Sequence, residues 1–296
     1  MVNTKRLILH VLAYTFYGLV VCLVLLYVMF PYNLLRQRVI EGFSVGELQL
    51  AIARLGPDFP PGVRLQNVRL LGNQAGSPSA LIHLETLRAH PDLFALFSRT
   101  LNIQLNATLY DGTLQGNVRA AMVHGAPAWE TLQVQFTDLS VERHPLVQKE
   151  GQAFLRGRLS GDLSVTFNSD GLMQQGLVTL RPQPVVFVSN QTLPLPLSRE
   201  VSCSIVNGRM QLTPGQWQID QILCRGTDLS IEVRGLVRWQ RPLAASVLEL
   251  RVRMSSVTAY KQEIDLIGGL VQRRPDRRGE LSFSIRGTLQ QLHYGA

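Results

Sequence analysis

One stretch of the chain has the spacing of a nucleophilic serine site. Gly42-Phe43-Ser44-Val45-Gly46 matches G-x-S-x-G, in which a serine sits on a sharp turn between a buried strand and a helix. Such a site also needs a parallel sheet covered by helices on both faces and a glycine-rich loop that forms an oxyanion hole. The sequence around Ser44 supplies neither, and a helix C-cap followed by a turn explains both glycines. We therefore predict no catalysis at Ser44.

The other side chains that could do chemistry are scattered along the chain. The six histidines are isolated, with no H-x-x-x-H or C-x-x-C spacing that would build a metal site. They are His10, His83, His90, His124, His144 and His293. Asp111, Asp170 and Asp228 fall in predicted turns, where Asp is common for structural reasons. Since no nucleotide-binding glycine motif is present either, the sequence predicts a non-enzymatic protein with no catalytic residue, cofactor or metal.

The cysteines leave two interpretations open. Cys22 lies within an apolar segment, where it acts as an inert apolar filler. Cys203 and Cys224 lie 21 residues apart in two strand-like runs. In an oxidising compartment these two could form a disulfide. The alternative is a pair of unpaired buried thiols, and the spacing does not decide between the two.

The chain is basic, with a net charge of +8. A positive excess can indicate binding to nucleic acid or to anionic lipid. Here the arginines are spread evenly over the predicted strands, and no basic helix or nucleic-acid fold signature accompanies them, so we predict no nucleic-acid partner. One cluster is dense and contains Arg273, Arg274, Arg277 and Arg278. We interpret it as an exposed turn that could contact an acidic partner or lipid headgroups.

The elements that would position these residues begin with an apolar segment from Leu7 to Phe30. Its 24 residues would span roughly 36 Å as a helix, enough to cross a hydrocarbon core of about 30 Å. The segment is longer than the core of a cleaved signal peptide and has no small-residue cleavage site. Lys5 and Arg6 precede it and favour a cytoplasmic N-terminus. We therefore predict a cytoplasmic tail (1–6), a transmembrane anchor (7–30) and a body on the other side of the membrane.

Beyond a short juxtamembrane helix predicted at 31–42, apolar and polar residues alternate. Residues 101–109 alternate without a fault, Asp111-Gly112 supplies a hairpin turn, and the alternation returns at 113–119. A second strand–turn–strand unit is predicted at 163–181. Such alternation indicates antiparallel strands that bury one face.

The same signals predict a turn at Asn207-Gly208 within residues 201–213. Amphipathic spacing predicts short helices at 91–99 and 257–271. A polar, turn-rich stretch at 142–155 divides the body into a first β region (43–145) and a second one (146–296). The predicted fold class is mainly β, with a single N-terminal transmembrane helix, an extended antiparallel sheet and one or two short helices.

Five segments of the chain occur in an order that is typical of a known family. They are Phe30-Pro31-Tyr32, Leu34-Leu35-Arg36, residues 60–70, residues 105–116 and Ile285-Arg286-Gly287-Thr288-Leu289. In this order they resemble the type II secretion system protein N (GspN) of deltaproteobacteria. The succession of alternating strands and glycine-containing turns is also similar to that of the wider AsmA-like group, whose β-grooves are proposed to hold or pass lipid.

The resemblance implies a non-enzymatic inner-membrane component of the type II secretion system, with a periplasmic body. Such a body would bind other components of the machinery, for which exposed strand edges are suited. The alternative is an AsmA-like periplasmic protein that binds or transfers lipid. We expect a lipid groove to need a second apolar face, whereas Asn102, Gln104 and Asn106 make the alternate face of one strand polar. The pattern therefore favours one-sided burial and the secretion role.

Overall fold

The computed structural model describes most of the chain, in segments. These are residues 4–29, 31–43, 48–59, 62–74, 77–92, 95, 100–123, 126–144, 148–149, 152–153, 155–187, 201–240, 245–256, 260–277, 279–288 and 291–295. Ser44 of the G-x-S-x-G string and Arg278 of the basic cluster lie outside the described residues. The helix predicted at 91–99 lies mostly outside them as well, and Pro91 is the last residue of a strand.

Two α-helices begin the chain and a third lies near its end. They are α1 (Thr4–Val28), α2 (Tyr32–Phe43) and α3 (Lys261–Leu270). A 3-10 turn covers Val141–Arg143. When only described residues are counted, no helix is both long enough and apolar enough to cross a membrane. The anchor at 7–30 stays a prediction.

The protein is mainly β, as predicted, and fourteen strands form one antiparallel sheet in which each strand pairs with the next along the chain. The bounds are β1 (Leu48–Asp58), β2 (Gly62–Gln74), β3 (Ser77–Pro91), β4 (Thr100–Leu109), β5 (Gly112–Val123), β6 (Ala126–Ser140), β9 (Leu155–Phe167), β10 (Met173–Phe187), β11 (Val201–Thr213), β12 (Gln216–Arg225), β13 (Leu229–Arg238), β14 (Val247–Ser256), β15 (Glu280–Thr288) and β16 (Leu292–Gly295). Two short strands, β7 (Gln148–Lys149) and β8 (Gln152–Ala153), pair separately.

The hairpin predicted around Asp111-Gly112 is confirmed, since β4 and β5 pair directly across that turn. The turn predicted at Asn207-Gly208 is wrong, because β11 continues through both residues. A Cβ atom added at Gly208 would lie 3.2 Å from Ile222 Cγ1 and 3.3 Å from Leu180 Cδ1. The glycine therefore makes room for apolar side chains of the two adjacent strands, instead of reversing the chain.

The sheet continues through the stretch that the sequence suggested as a boundary. β6 pairs directly with β9, with Leu132 opposite Val165 and Val134 opposite Leu163. Both β regions predicted from the sequence thus contribute strands to one sheet. At about 4.8 Å per strand, fourteen strands extend over roughly 60 Å.

The register places apolar side chains on one face of the sheet and polar ones on the other, because directly paired residues share a face. One apolar row crosses β3 to β10 through Leu87, Ala107, Leu114, Phe136, Gly161 and Leu180. The adjacent polar row contains Arg88, Asn106, Gln115, Gln135, Asp162 and Thr179. We call these two sides the apolar face and the polar face.

A short helix covers the apolar face near each end of the sheet. At the β1 end, Ile40 of α2 packs against a cluster of Ile52, Leu65 and Val68. At the opposite end, Ile264 and Ile267 of α3 are buried in a larger cluster with strands β9 to β15. The helix predicted at 257–271 is thus present as α3, and it runs through Gly268-Gly269 without a break.

Candidate functional site

Between the two helix-covered ends, part of the apolar face belongs to neither buried cluster, and we call this part the trough. Ala107, Ala120 and Val165 on its strands are buried, and its larger side chains are half-buried. These larger side chains lie on β4, β5, β6, β9 and β10, and each remains partly exposed. They are Leu105, Val118, Leu132, Val134, Leu163 and Val178. Neither buried cluster includes them, and no second sheet packs on them in the part of the chain that the structure describes. Five strands give the trough a length of about 20 Å across the sheet.

The side chains of the trough are apolar, and the strands beneath it pair their backbone groups with one another. Leu105 faces Gly116, which faces Val134, and the row continues through Leu163 and Val178. A surface of this kind gains free energy by removing apolar area from water, at about 25 cal/mol per Å². Its side chains offer no donor or acceptor to a polar ligand. The trough is therefore suited to an apolar chain.

The polar face carries several ion pairs between arginine and acidic side chains. They include Arg119 with Glu130, Arg181 with Asp162, Arg209 with Asp220, Arg234 with Glu232 and Arg238 with Glu249. The Arg181 pair is bidentate, with nitrogen-to-oxygen distances of 2.8 and 3.1 Å. Exposed pairs contribute little to stability, typically below about 1 kcal/mol each. The arginine side chains of these pairs are 44–62% exposed, so the polar face is in contact with solvent.

Glu232 is the most enclosed carboxylate of these pairs, with 16% of its side chain exposed. Burial on its own would raise its pKa. Hydrogen bonds from Arg234 and Gln221, at 2.7 Å each, and the charge of Arg253 outweigh burial and hold the pKa below its usual value. The charged form of Glu232 is therefore stabilised by folding.

Replacing Glu232 by glutamine should lower the free energy of unfolding by about 0.5–1 kcal/mol at pH 7. A carboxylate whose pKa is lowered by folding stabilises the fold above its unfolded pKa, and that contribution disappears as the pH falls through the folded pKa. Denaturant unfolding at pH 7 and pH 3 measures the difference between variant and parent. Glu130→Gln, which removes an exposed carboxylate 3.5 Å from Arg119, is the matched control. An equal loss at both pH values would contradict the electrostatic origin.

The structure joins Cys203 to Cys224 in a disulfide between β11 and β12, with their Cα atoms 5.4 Å apart. Both cysteines belong to the cluster under α3 and are almost completely buried. Cys22 is free and exposed. The bridge fixes two strands at the helix-covered end of the apolar face.

The β1–β2 turn is held by contacts that the sequence pattern did not indicate. The Tyr27 hydroxyl hydrogen-bonds to the carbonyl oxygens of Asp58 and Gly62, the latter at 2.8 Å. The Asp58 carboxylate, which is 6% exposed, lies 2.5 Å from Arg64 and 3.2 Å from His90 Nε2. The end of α1 is thereby fixed beside the first strands of the sheet.

The predicted basic turn lies at the other end of the molecule, directly after α3. Arg273, Arg274 and Arg277 are exposed and line one cavity there. Sequence reasoning missed Lys261, which lines the same cavity from the start of α3. Its 12-residue separation from Arg273 gives no local signal. Within the described residues, no group of three or more His, Cys, Asp or Glu side chains could hold a metal ion.

Comparisons of the chain with protein-family models, with curated proteins and with solved structures return no match. The resemblance to the secretion system protein N therefore stays a prediction.

Proposed function

We propose that this protein binds the acyl chains of lipid along the apolar face of its sheet. The observation that carries the proposal is the trough, in which Leu105, Val134 and Leu163 form an apolar row across paired strands. Contiguous exposed apolar surface is typical of ligand or membrane contact sites in folded proteins.

An acyl chain fits the trough better than a polypeptide does. A bound peptide would place its own N–H and C=O groups on a surface whose backbone is already paired, and each unpaired group would cost free energy. An acyl chain carries no polar atoms along its length and needs only apolar contact. The lipid of the inner membrane is the proposed source, since residues 7–30 are expected to anchor the body beside it.

The single-layer sheet changes the sequence argument against a lipid groove. From the sequence, we expected a lipid groove to need two apolar faces, one that packs in a core and one that contacts lipid. Alternation along β4 does leave Gln104 and Asn106 exposed on the polar face. In the described chain, however, the apolar face has no second sheet packed on it. One apolar face is therefore enough for a lipid-binding surface.

Charging the trough should abolish acyl-chain binding. We expect the double variant Leu105→Asp, Val134→Asp to bind a fluorescent fatty acid at least tenfold more weakly than the parent, because the two carboxylates would contact the chain directly. The full chain, purified in a mild detergent, is titrated with the probe. Lipid extracted from each preparation and identified by mass spectrometry gives an independent measurement.

The matched control is Gln104→Asp, Gln133→Asp. It places the same two charges on the same two strands, one residue earlier and on the polar face. We expect this control to bind the probe as the parent does. Equal loss in both double variants, or binding that persists in the trough variant, would overturn the proposal. Near-ultraviolet circular dichroism verifies that both variants are folded.

A second candidate is the secretion-machinery component implied by the resemblance. β16 supports it, because its outer side has no partner among the described strands and could accept a strand from another protein. The opposite edge strand, β1, is contacted by α2. The secretion role needs no apolar ligand, so a purified chain that carries no lipid and binds no fatty acid would favour it over lipid binding.

A further inference from the structure

The α3 end of the molecule combines a basic cavity with exposed leucines. A cavity of about 820 Å³ lies between α3, the end of β14, residues 272–277 and Gly279. Four cationic side chains line it, and they are Lys261, Arg273, Arg274 and Arg277. This cavity shares no lining residue with the trough.

Four cations and two carboxylates, those of Asp265 and Asp276, line the cavity, so its lining carries an excess of positive charge. None of the four cations takes part in an ion pair there with a described carboxylate, in contrast with Arg181 or Arg234 on the polar face. Of the acidic residues that line the cavity, Asp276 accepts a hydrogen bond from the Glu280 N–H at 2.8 Å and so holds the turn. The cavity therefore attracts anions.

A different side of α3 from the one that lines the cavity carries two exposed leucines. Leu266 and Leu270 are 58% and 62% exposed, and their spacing of four residues places them on one side of the helix. Arg273 and Arg274 follow directly after the helix. Exposed leucines beside a basic cluster are typical of helices that lie in the interface of an anionic bilayer.

The cations and leucines are carried by a fixed part of the fold. Ile264 and Ile267 hold α3 in the buried cluster, with 2% and 1% exposure. The Arg273 N–H donates a hydrogen bond of 2.7 Å to the Gly268 carbonyl oxygen. A Cβ atom added at Gly268 would lie 2.5 Å from the Arg273 carbonyl oxygen, so the glycine is needed for this close approach.

We propose that the α3 end docks onto an anionic lipid surface, with Leu266 and Leu270 entering the interface and Arg273, Arg274, Arg277 and Lys261 binding phosphate headgroups. Tyr27 places the end of α1 beside the β1–β2 turn. The anchor and the docking surface would then lie at opposite ends of a sheet of roughly 60 Å. This goes beyond lipid binding in the trough, because it gives the protein a second membrane contact.

The test uses the full chain in nanodiscs of phosphatidylcholine and measures its recruitment to separate vesicles. We expect recruitment to vesicles that contain phosphatidylglycerol and little to vesicles of phosphatidylcholine alone. Each basic residue near an anionic surface contributes about fivefold to affinity, so Arg273→Gln, Arg274→Gln, Arg277→Gln should weaken recruitment tenfold or more. Leu266→Ala, Leu270→Ala should weaken it without removing the preference for anionic lipid.

The matched control, Arg225→Gln, Arg251→Gln, Arg286→Gln, removes the same charge from exposed strand positions. We expect it to stay within about twofold of the parent. Equal loss in this control would show attraction by net charge alone and overturn the proposal. Recruitment of the Arg273→Gln, Arg274→Gln, Arg277→Gln variant equal to that of the parent would also overturn the proposal. Displacement by inorganic phosphate, beyond that caused by sodium chloride of equal ionic strength, would assign the cavity to a free anion and also overturn it.

Failure of this proposal is separable from failure of the proposed function. Fatty-acid binding to the trough is measured without vesicles, and the cavity variant should keep it in full. Loss of fatty-acid binding in the Leu105→Asp, Val134→Asp variant tests only the proposed binding site in the trough. Vesicle recruitment of that same double variant should equal that of the parent.

Discussion

Replacing Ile267 by alanine should lower the free energy of unfolding by about 2–5 kcal/mol. Ile267 is 1% exposed and packs in the cluster that holds α3 on the apolar face, together with Met254 and Leu281. Truncation removes apolar contact and leaves a cavity that fixed strands cannot fill. Denaturant unfolding of the full chain, followed by tryptophan fluorescence, measures the loss.

Leu270→Ala is the control for this prediction, since Leu270 lies on the same helix and is 62% exposed. We expect its effect on unfolding to stay within about 0.5 kcal/mol. Equal effects of the two substitutions would contradict the packing of α3 against the sheet. That result would also remove the scaffold on which the proposed docking surface depends.

Much of the sheet could be predicted because an antiparallel strand with one apolar face leaves a period of two in the sequence. β4 and β5 show this, with a turn at Tyr110-Asp111 between them, one residue before the predicted Asp111-Gly112. Asn207-Gly208 carries the same local turn signal within a continuous strand. What differs is the space that Leu180 and Ile222 require on adjacent strands, and a local pattern contains no information about those neighbours.

The trough could not be predicted, because strand alternation is the same in a sandwich and in a single-layer sheet. Leu105 has the pattern of a core residue, and its burial depends on what covers the sheet. In the structure α3 covers Leu281 and leaves Leu105 partly exposed. The difference between core and ligand surface thus arises from where two short helices dock, which periodicity does not specify.

The basic turn was visible in the sequence, but its surroundings were not. Four arginines in six residues, 273–278, predict an exposed cluster on composition alone. Lys261 lines the same cavity as Arg273, and Leu266 is exposed on α3, because Ile264 and Ile267 bury a different side of this helix. The sequence therefore indicated an anion-binding turn, and the fold adds the apolar contact that favours a lipid surface.

Removing the disulfide should destabilise the body by about 3 kcal/mol, since the bridge closes a loop between residues 21 apart. A cross-link of this kind restricts the unfolded chain, and here it also joins two buried side chains, Cys203 and Cys224. Denaturant unfolding of Cys203→Ala, Cys224→Ala, and of the parent with and without reductant, measures the loss. Cys22→Ala, which removes the free thiol, should unfold as the parent does.

The same two thiols test the predicted side of the membrane. Disulfides persist in the periplasm and are rare in the cytosol. When intact cells are treated with a thiol-alkylating reagent, Cys203 and Cys224 should therefore stay unmodified until a reductant is added. If both cysteines of the protein from intact cells were alkylated before any reductant was added, that result would contradict a periplasmic body. If the protein isolated from cells also had the same free energy of unfolding as the Cys203→Ala, Cys224→Ala variant, the disulfide would contribute nothing to the stability of the protein in the cell.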